Sequence, residues 1–294
     1  MIMRLRRRFM WMVAGVLLLL IVFVVTQLPA IGAAMILHPP HRPMMASPPP
    51  GCVEVSFNGA GVKLQGWRGH GVGNPRGTLI CLHGVSDNRA SGAGIMERFR
   101  KRGFDVVAYD SRANGESEGD ACTYGFYEKE DLREVLDSIE KGPIILFGSS
   151  LGAAVALQFA ASDQRITAVV AVETFSDLRT VVTERAPFFF TQDAIHQSFD
   201  LAEKKAQFRV DAVSPKAAAE NITIPVLLIH GEADTDTPPD HSRRVYAALA
   251  GPKRLILIPD ARHNESLQGD IWEEIDHWID AVLQSPALQS PAAK

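Results

Sequence analysis

The pentapeptide Gly148-Ser149-Ser150-Leu151-Gly152 has residue types and a spacing that suggest a reaction. An apolar run, Pro143–Phe147 (PIILF), precedes it, and an alanine-rich stretch with helical character, Leu151–Ala161, follows. Glycines at both flanks of a strand-to-helix turn let backbones approach where a Cβ would intrude. The central serine is thereby raised above the sheet edge. The spacing makes Ser150 the central residue, because Ser149 would need a glycine at position 147, where Phe stands.

A serine hydroxyl is a poor nucleophile at neutral pH and needs a histidine base oriented by a carboxylate. In the strand–turn–helix setting the expected chain order is serine, acid, histidine. Asp234 lies in HGEADTDTP, just after the apolar run IPVLLI, and His263 lies in IPDARHNES, just after RLILI. Both positions fall at C-terminal strand ends, where an open parallel sheet builds its site. Asp236 and Asp260 are rival acids, whereas His83, His230 and His241 read as structural or solvated. The oxyanion of acyl transfer needs preorganised N–H donors. The spacing nominates Leu151, at a helix N-terminus, and Val85, in the turn His83-Gly84-Val85. Phe188, Phe189 and Phe190 are candidates to line an acyl pocket, against the plainer alternative of core packing. No H-E-x-x-H pattern occurs, and Cys52, Cys81 and Cys122 lack metal-ligand spacing, so no cofactor or metal is expected. A Cys52–Cys122 disulfide is conceivable in an oxidising compartment.

The elements that must hold these residues follow from hydropathy. Val53–Phe57 and Val62–Trp67 alternate around Asn58-Gly59-Ala60-Gly61 and predict an antiparallel hairpin. Short continuous apolar runs then alternate with helical stretches: strands at 78–82, 104–109, 143–147, 166–172, 224–229 and 254–258, and helices near 90–102, 128–140, 151–161, 240–249 and 266–283. Continuous apolar strands separated by helices imply one mostly parallel sheet with right-handed crossovers. Residues 173–223 are long for a connection and are a candidate cap over the site, or an ordinary pair of surface helices. The tail from Ser285 has the composition of a disordered segment.

The chain has 294 residues, 46% of them hydrophobic and 22% charged, enough for one large α/β domain. Its net charge is −4, and Arg4, Arg6, Arg7 and Arg8 contribute +4, so the remainder carries −8. That balance excludes a disordered chain and gives no support to nucleic-acid binding. From Phe9 to Val25 there is no charge, and the apolar stretch extends to about twenty residues, the length that spans a bilayer as a helix. The preceding arginines predict a single-pass anchor with the body on the non-cytoplasmic side, periplasmic in a bacterium. Secretion after signal cleavage near Ala30–Ala34 is the alternative. The expected organisation is therefore an anchor or signal over 1–34, a proline-rich stiff linker over 35–52, the catalytic domain over 53–284 and the tail over 285–294.

Together these pieces resemble the α/β-hydrolase superfamily over residues 53–284. The resemblance rests on His83-Gly84, the stretch Asp110–Ser117, the Ser150 turn, HGEAD with Pro238, and His263. Asp110–Ser117 is similar to the D-x-R-G-x-G-x-S segment of the lysophospholipase-like and serine-aminopeptidase-like branch, with Ala113 in place of the first glycine. The anchor and short cap are similar to those of membrane-anchored ABHD-like hydrolases. The resemblance implies a mostly parallel sheet flanked by helices and a hydrolase without a cofactor. Related dehalogenases and epoxide hydrolases use an aspartate nucleophile, whereas this turn carries Ser150. The expected activity is cleavage of carboxylic esters or thioesters, through an acyl-enzyme on Ser150, at or near a membrane. The substrate is expected to be a small-molecule acyl ester or a lipid-like one. A serine peptidase, with Glu173 near the substrate amino group, and a non-catalytic binding protein are the alternatives.

Overall fold

A computed structural model describes residues 2–139 and 142–285. Helix α1 (Ile2–Leu37) is followed by an irregular stretch and then by a hairpin, β1 (Cys52–Asn58) and β2 (Lys63–Gly69). The strand–helix series comprises β3 (Gly77–Leu82), α2 (Ala93–Lys101), β4 (Phe104–Tyr109), α3 (Glu128–Asp137), β5 (Ile144–Ser149), α4 (Leu151–Ala160) and β6 (Ile166–Val172). After β6 come α5 (Leu178–Arg185), α6 (Gln192–Ala206) and α7 (Pro215–Ala219), and then β7 (Val226–Gly231), α8 (Asp240–Ala248), β8 (Lys253–Ile258) and α9 (Ile271–Gln284). The tail beyond Ser285 lies outside the described residues.

The eight strands form one sheet in the order β1-β2-β4-β3-β5-β6-β7-β8. The hairpin pairs antiparallel, with Asn58 opposite Lys63, and β2 joins β4 antiparallel. All other pairs are parallel. This is the α/β-hydrolase fold. β6 is buried at all seven positions, as a strand covered on both faces by helices must be. The chain order reverses at β3, which lies between β4 and β5, so a crevice opens outside the carboxyl ends of these strands.

One packed layer joins α3, α4 and α8 to the sheet, and the opposite layer joins α2 and α9. A third cluster is built by the insertion after β6. There Phe175, Leu178, Val181, Ile195 and Phe199 pack with Ala33, Ile36 and Leu37 of α1. Helix α1 therefore continues past residue 34 and ends docked on the domain. The Tyr124 hydroxyl donates to the Ile36 carbonyl (3.0 Å), and the Cys122 N–H donates to that of Leu37 (2.9 Å). Upstream of Leu28 the described side chains of α1 are exposed, most of them large and apolar. The helix is long and apolar enough to cross a membrane. Residues 39–50 form neither helix nor strand and lie against the domain, with Arg42 bonded through its backbone to Ser86 and Asn88.

The stretch Asp110–Ser117 is organised by Asp110. The buried Asp110 carboxylate accepts from the Arg89 N–H (2.7 Å), the Arg89 guanidinium and the Glu116 N–H (2.9 Å). That wraps the loop into a tight turn. Ala113 adopts φ +56°, the left-handed conformation that a glycine takes without penalty.

Candidate active site

The turn from β5 into α4 positions Ser150 with φ 51° and ψ −108°, a strained conformation for a non-glycine residue. Neighbouring backbone enforces it. A Cβ on Gly152 would collide with the Leu82 carbonyl, and one on Gly148 would collide with the Gly152 carbonyl. The Ser150 N–H donates to Val172 on β6 (2.8 Å), which fixes the turn to the next strand.

His263 follows β8. Its Nε2 lies 3.2 Å from Ser150 Oγ, and its Nδ1 lies 2.6 Å from Asp234 Oδ2. Asp234 follows β7, and its other oxygen accepts from the N–H groups of Asp236 (2.9 Å) and Thr237 (2.8 Å). Burial alone would raise the Asp234 carboxyl, but hydrogen bonds from His230, His263 and the Thr237 N–H outweigh it and hold the group well below the usual carboxylate range. An ionised Asp234 at this distance favours the tautomer with the proton on His263 Nδ1, an arrangement that would let Nε2 accept one from Ser150. Asp236 contributes only its backbone N–H to this arrangement.

Two residues given lesser parts by the sequence turn out to support it. Glu173 is fully buried and borders the larger cleft beside His263. Its carboxylate accepts from the Asn264 N–H (2.6 Å) and the Ser266 hydroxyl (2.6 Å), and it approaches His263 Nδ1 at 3.5 Å. It pins the loop that carries the histidine. Its φ of +55° on a residue just past a buried strand bends the chain toward that loop. His230 is buried with Nε2 2.7 Å from the Thr237 carbonyl and 3.3 Å from Asp234. Neither role leaves a periodicity or spacing in the sequence, because both are contacts between distant loops. The carboxylates of Glu173 and Asp234 and the His263 imidazole have ligand atoms within 4.8 Å of one another. Their oxygens are committed to N–H and O–H donors, and their geometry is that of a hydrogen-bonded chain more than of a cation cage.

His83 and His241 are structural. Buried His83 bridges the Gly84 carbonyl (Nδ1, 2.7 Å) and the Ser111 N–H (Nε2, 2.9 Å). His241 connects the Ser176 N–H to Glu184. The turn after β3 brings Gly84 over Ser150, so that a Cβ there would lie 3.6 Å from Ser150 Cβ. Val85, next in that turn, and Leu151, first in α4, both border the cleft beside Ser150. Among the described residues no group accepts a hydrogen bond from either N–H. Cys52, Cys81 and Cys122 are free thiols, and burial pushes Cys122 far above the usual range.

Ser150 sits where two clefts meet. One, of about 830 Å³, is the more polar of the two, with Arg42, Asp87, Glu184, Asp236 and His263 on its walls. The other, of about 270 Å³, is mostly apolar and runs between α1 and the insertion, with Gly32, Met35, Tyr124, Phe175, Val182 and Phe190 around it. The insertion over 173–223 therefore walls the site. Of the three phenylalanines, only Phe190 reaches the cleft. Phe188 is 99% exposed and Phe189 54% exposed, because they occupy the tip of the loop between α5 and α6.

Comparison with known proteins agrees with this architecture. Residues 77–201 match a family model described as the alpha/beta hydrolase fold, and residues 156–292 match one described as PhoPQ-activated pathogenicity-related protein. The uncharacterized protein YqkD of Bacillus subtilis is 32% identical over 196 residues, 63% of this chain and 64% of that one, so the match spans just under two thirds of the relative. The uncharacterized protein YfhR of Escherichia coli K12 is 28% identical over 92% of this chain and 93% of its own. Among solved structures, the Pyrococcus furiosus esterase Pf2001 superposes with a TM-score of 0.65 at 22% identity, covering 83% of this chain and 97% of that one. Mouse alpha/beta hydrolase domain-containing protein 10 superposes at 0.61 and 26% identity, over 78% and 99%.

Proposed function

The chain belongs to the α/β-hydrolase superfamily, and from that premise we propose that it is a serine hydrolase of carboxylic esters or thioesters, acting at a membrane surface. The observation that carries the reading is the placement of His263. It lines the polar cleft and not the apolar one. In acyl transfer the base that activates the serine later protonates the leaving group, so the leaving group must lie on the histidine's side. The polar cleft is then the leaving-group site, and the apolar cleft takes the acyl chain.

In this mechanism Ser150 Oγ attacks the carbonyl carbon as His263 Nε2 takes its proton. The Leu151 and Val85 N–H groups receive the oxyanion, and Asp234 stabilises the imidazolium through Nδ1. Collapse breaks the ester or thioester bond, and the leaving alkoxide or thiolate takes the proton from Nε2. Water then enters through the polar cleft and repeats the cycle on the acyl-enzyme. A serine peptidase would use the same triad and is the second reading, although the Glu173 carboxylate already accepts from Asn264 and Ser266.

The test uses the full chain in detergent micelles, as wild type and as Ser150→Ala, treated with a fluorophosphonate. Labelling mapped to Ser150 in the wild type alone, with hydrolysis of p-nitrophenyl esters that follows acyl length, is the expected result. A folded wild type that neither labels nor turns over any ester or thioester overturns the reading.

A further inference from the structure

We infer that the loop tip Phe188-Phe189 is a second membrane contact, which dips into the bilayer beside α1 and sets the mouth of the acyl cleft at the lipid surface. This rests on the reading of α1 as a membrane helix and extends it to the catalytic domain.

The argument begins with the length of α1. Its described side chains from Phe9 to Gln27 are exposed, and Leu28 is the first to be buried by the domain. Nineteen helical residues span about 28 Å, close to the roughly 30 Å hydrocarbon core. The lipid boundary therefore falls where the helix meets the domain, with no free linker between. Gly32 and Met35, which border the acyl cleft, lie only about 8 and 12 Å further along the helix axis.

The phenylalanine run is attached to the same place. A Cβ on Gly32 would lie 3.0 Å from the Phe190 ring, so Phe190 packs directly on α1. The Phe189 ring centroid is 5.5 Å from that of Phe190, and the Phe188 centroid is 5.5 Å from that of Phe189. The two outer rings are within reach of the boundary. Ile31 and Met35, on the helix near Gly32, are also exposed. Seven residues from Ala186 to Gln192 carry no charge, so nothing on the tip resists entry into hydrocarbon. A fully exposed phenylalanine at such a tip is unfavourable in water and favourable in lipid. A lipid surface accounts for it with the helix already in place, and the occupant of the acyl cleft is then drawn from the bilayer itself.

The experiment places a spin label at residue 188, in a Cys52→Ser full-length background reconstituted in phosphatidylcholine nanodiscs. Oxygen and a water-soluble nickel chelate report depth. Labels at Leu17 and at Val72 serve as references, the latter being exposed and bonded to Arg100 just before β4, away from the C-terminal strand ends that carry the site. The expected result is a label at 188 that is rich in oxygen and poor in nickel, as at Leu17, with the label at Val72 in water. In parallel, the Phe188→Ser/Phe189→Ser variant should hydrolyse a long-chain ester embedded in the nanodisc at least tenfold more slowly, while turnover of a soluble short-chain ester changes less than twofold. A label at 188 exposed to nickel while Leu17 is deep overturns the proposal and leaves the anchor standing. A label at 188 shielded from both relaxants also overturns it, since that is the signature of a protein partner or a second copy. Wild type inactive on both esters sinks the function reading, and the depth measurement still decides the contact.

Discussion

Replacing Asp234 with asparagine separates two costs that the structure assigns to one side chain. One carboxylate oxygen accepts from the N–H groups of Asp236 and Thr237, and the other accepts from His263 with His230 nearby. Asparagine has one acceptor oxygen and one donor amide, so it must fail on one side. If the amide turns toward the two backbone N–H groups, two donors lose their acceptor, at about 1–3 kcal/mol each. If the amide turns toward His263, the imidazole must accept at Nδ1 and carry its proton on Nε2. The stability loss is then small, but the base is in the wrong tautomer, which costs about 10⁴ in kcat in the triad enzymes. The first arrangement costs more folding energy, so the second should dominate. The Asp234→Asn variant is expected to melt within a few degrees of wild type and to lose about 10³–10⁴ in kcat, read with a soluble p-nitrophenyl ester and by calorimetry. Activity within tenfold of wild type at an unchanged melting temperature would refute the reasoning. It would transfer the acid's role to Glu173, 3.5 Å from the same nitrogen, and the double variant with Glu173→Gln would then be the inactive one.

Single Ser150→Ala and His263→Ala variants should each lose about 10⁴–10⁶ in kcat and the double variant hardly more, because the two act as a unit; additive losses would deny that. Glu173→Ala leaves the Asn264 N–H and the Ser266 hydroxyl without their acceptor and should lower kcat about 10–100-fold with little change in KM, measured on the same ester. Ala113→Gly should raise stability by about 0.5–1 kcal/mol in urea unfolding, since relief of the left-handed strain exceeds the added unfolded-state entropy. Burial pushes His83 and His241 below the usual histidine range despite hydrogen bonds to Gly84 and Glu184. The unfolded chain therefore binds more protons than the folded one below about pH 6.5, and stability should fall as pH drops through that point. Asp234 works in a lower window: its depressed carboxyl stabilises the fold fully above the ordinary carboxylate range near ~4, and that contribution is lost as pH falls below it. Thermal unfolding from pH 8 to 3 reads both.

The sequence made the sheet and the nucleophilic turn legible because both rest on local signals. Continuous apolar runs such as Ile166–Val172 became fully buried parallel strands, and the glycines around Ser150 mark a close approach of backbones that the structure realises at Leu82 and Gly152. Asp234 and His263 were found by order and by position after strands, and the structure brings them to Ser150. Glu173 could not be found in this way. Its partners are Asn264 and Ser266, some ninety residues on, and a lone glutamate after a strand looks the same whether it is solvated or enclosed. Phe188, Phe189 and Phe190 show the converse limit. Three adjacent identical side chains carry no information on which of them faces inward, and loop geometry sent one to the cleft and two outward. Helix α1 ends at Leu37, just before proline-rich sequence, and its last turns pack on the insertion.

The docking of residues 28–37 of α1 has a consequence for how such a protein can be altered. These residues are at once the last turns of the apolar helix and a wall of the apolar cleft beside Ser150. A protease cut after Ala34, or a recombinant body begun at residue 35, would not free an intact enzyme. It would strip Gly32 and Ala33 from Phe190 and Phe199 and leave the cleft open along one side. On the proposed reading, tether and substrate selectivity could not be exchanged as separate modules, and a substitution near Gly32 would alter the cleft as well as the helix.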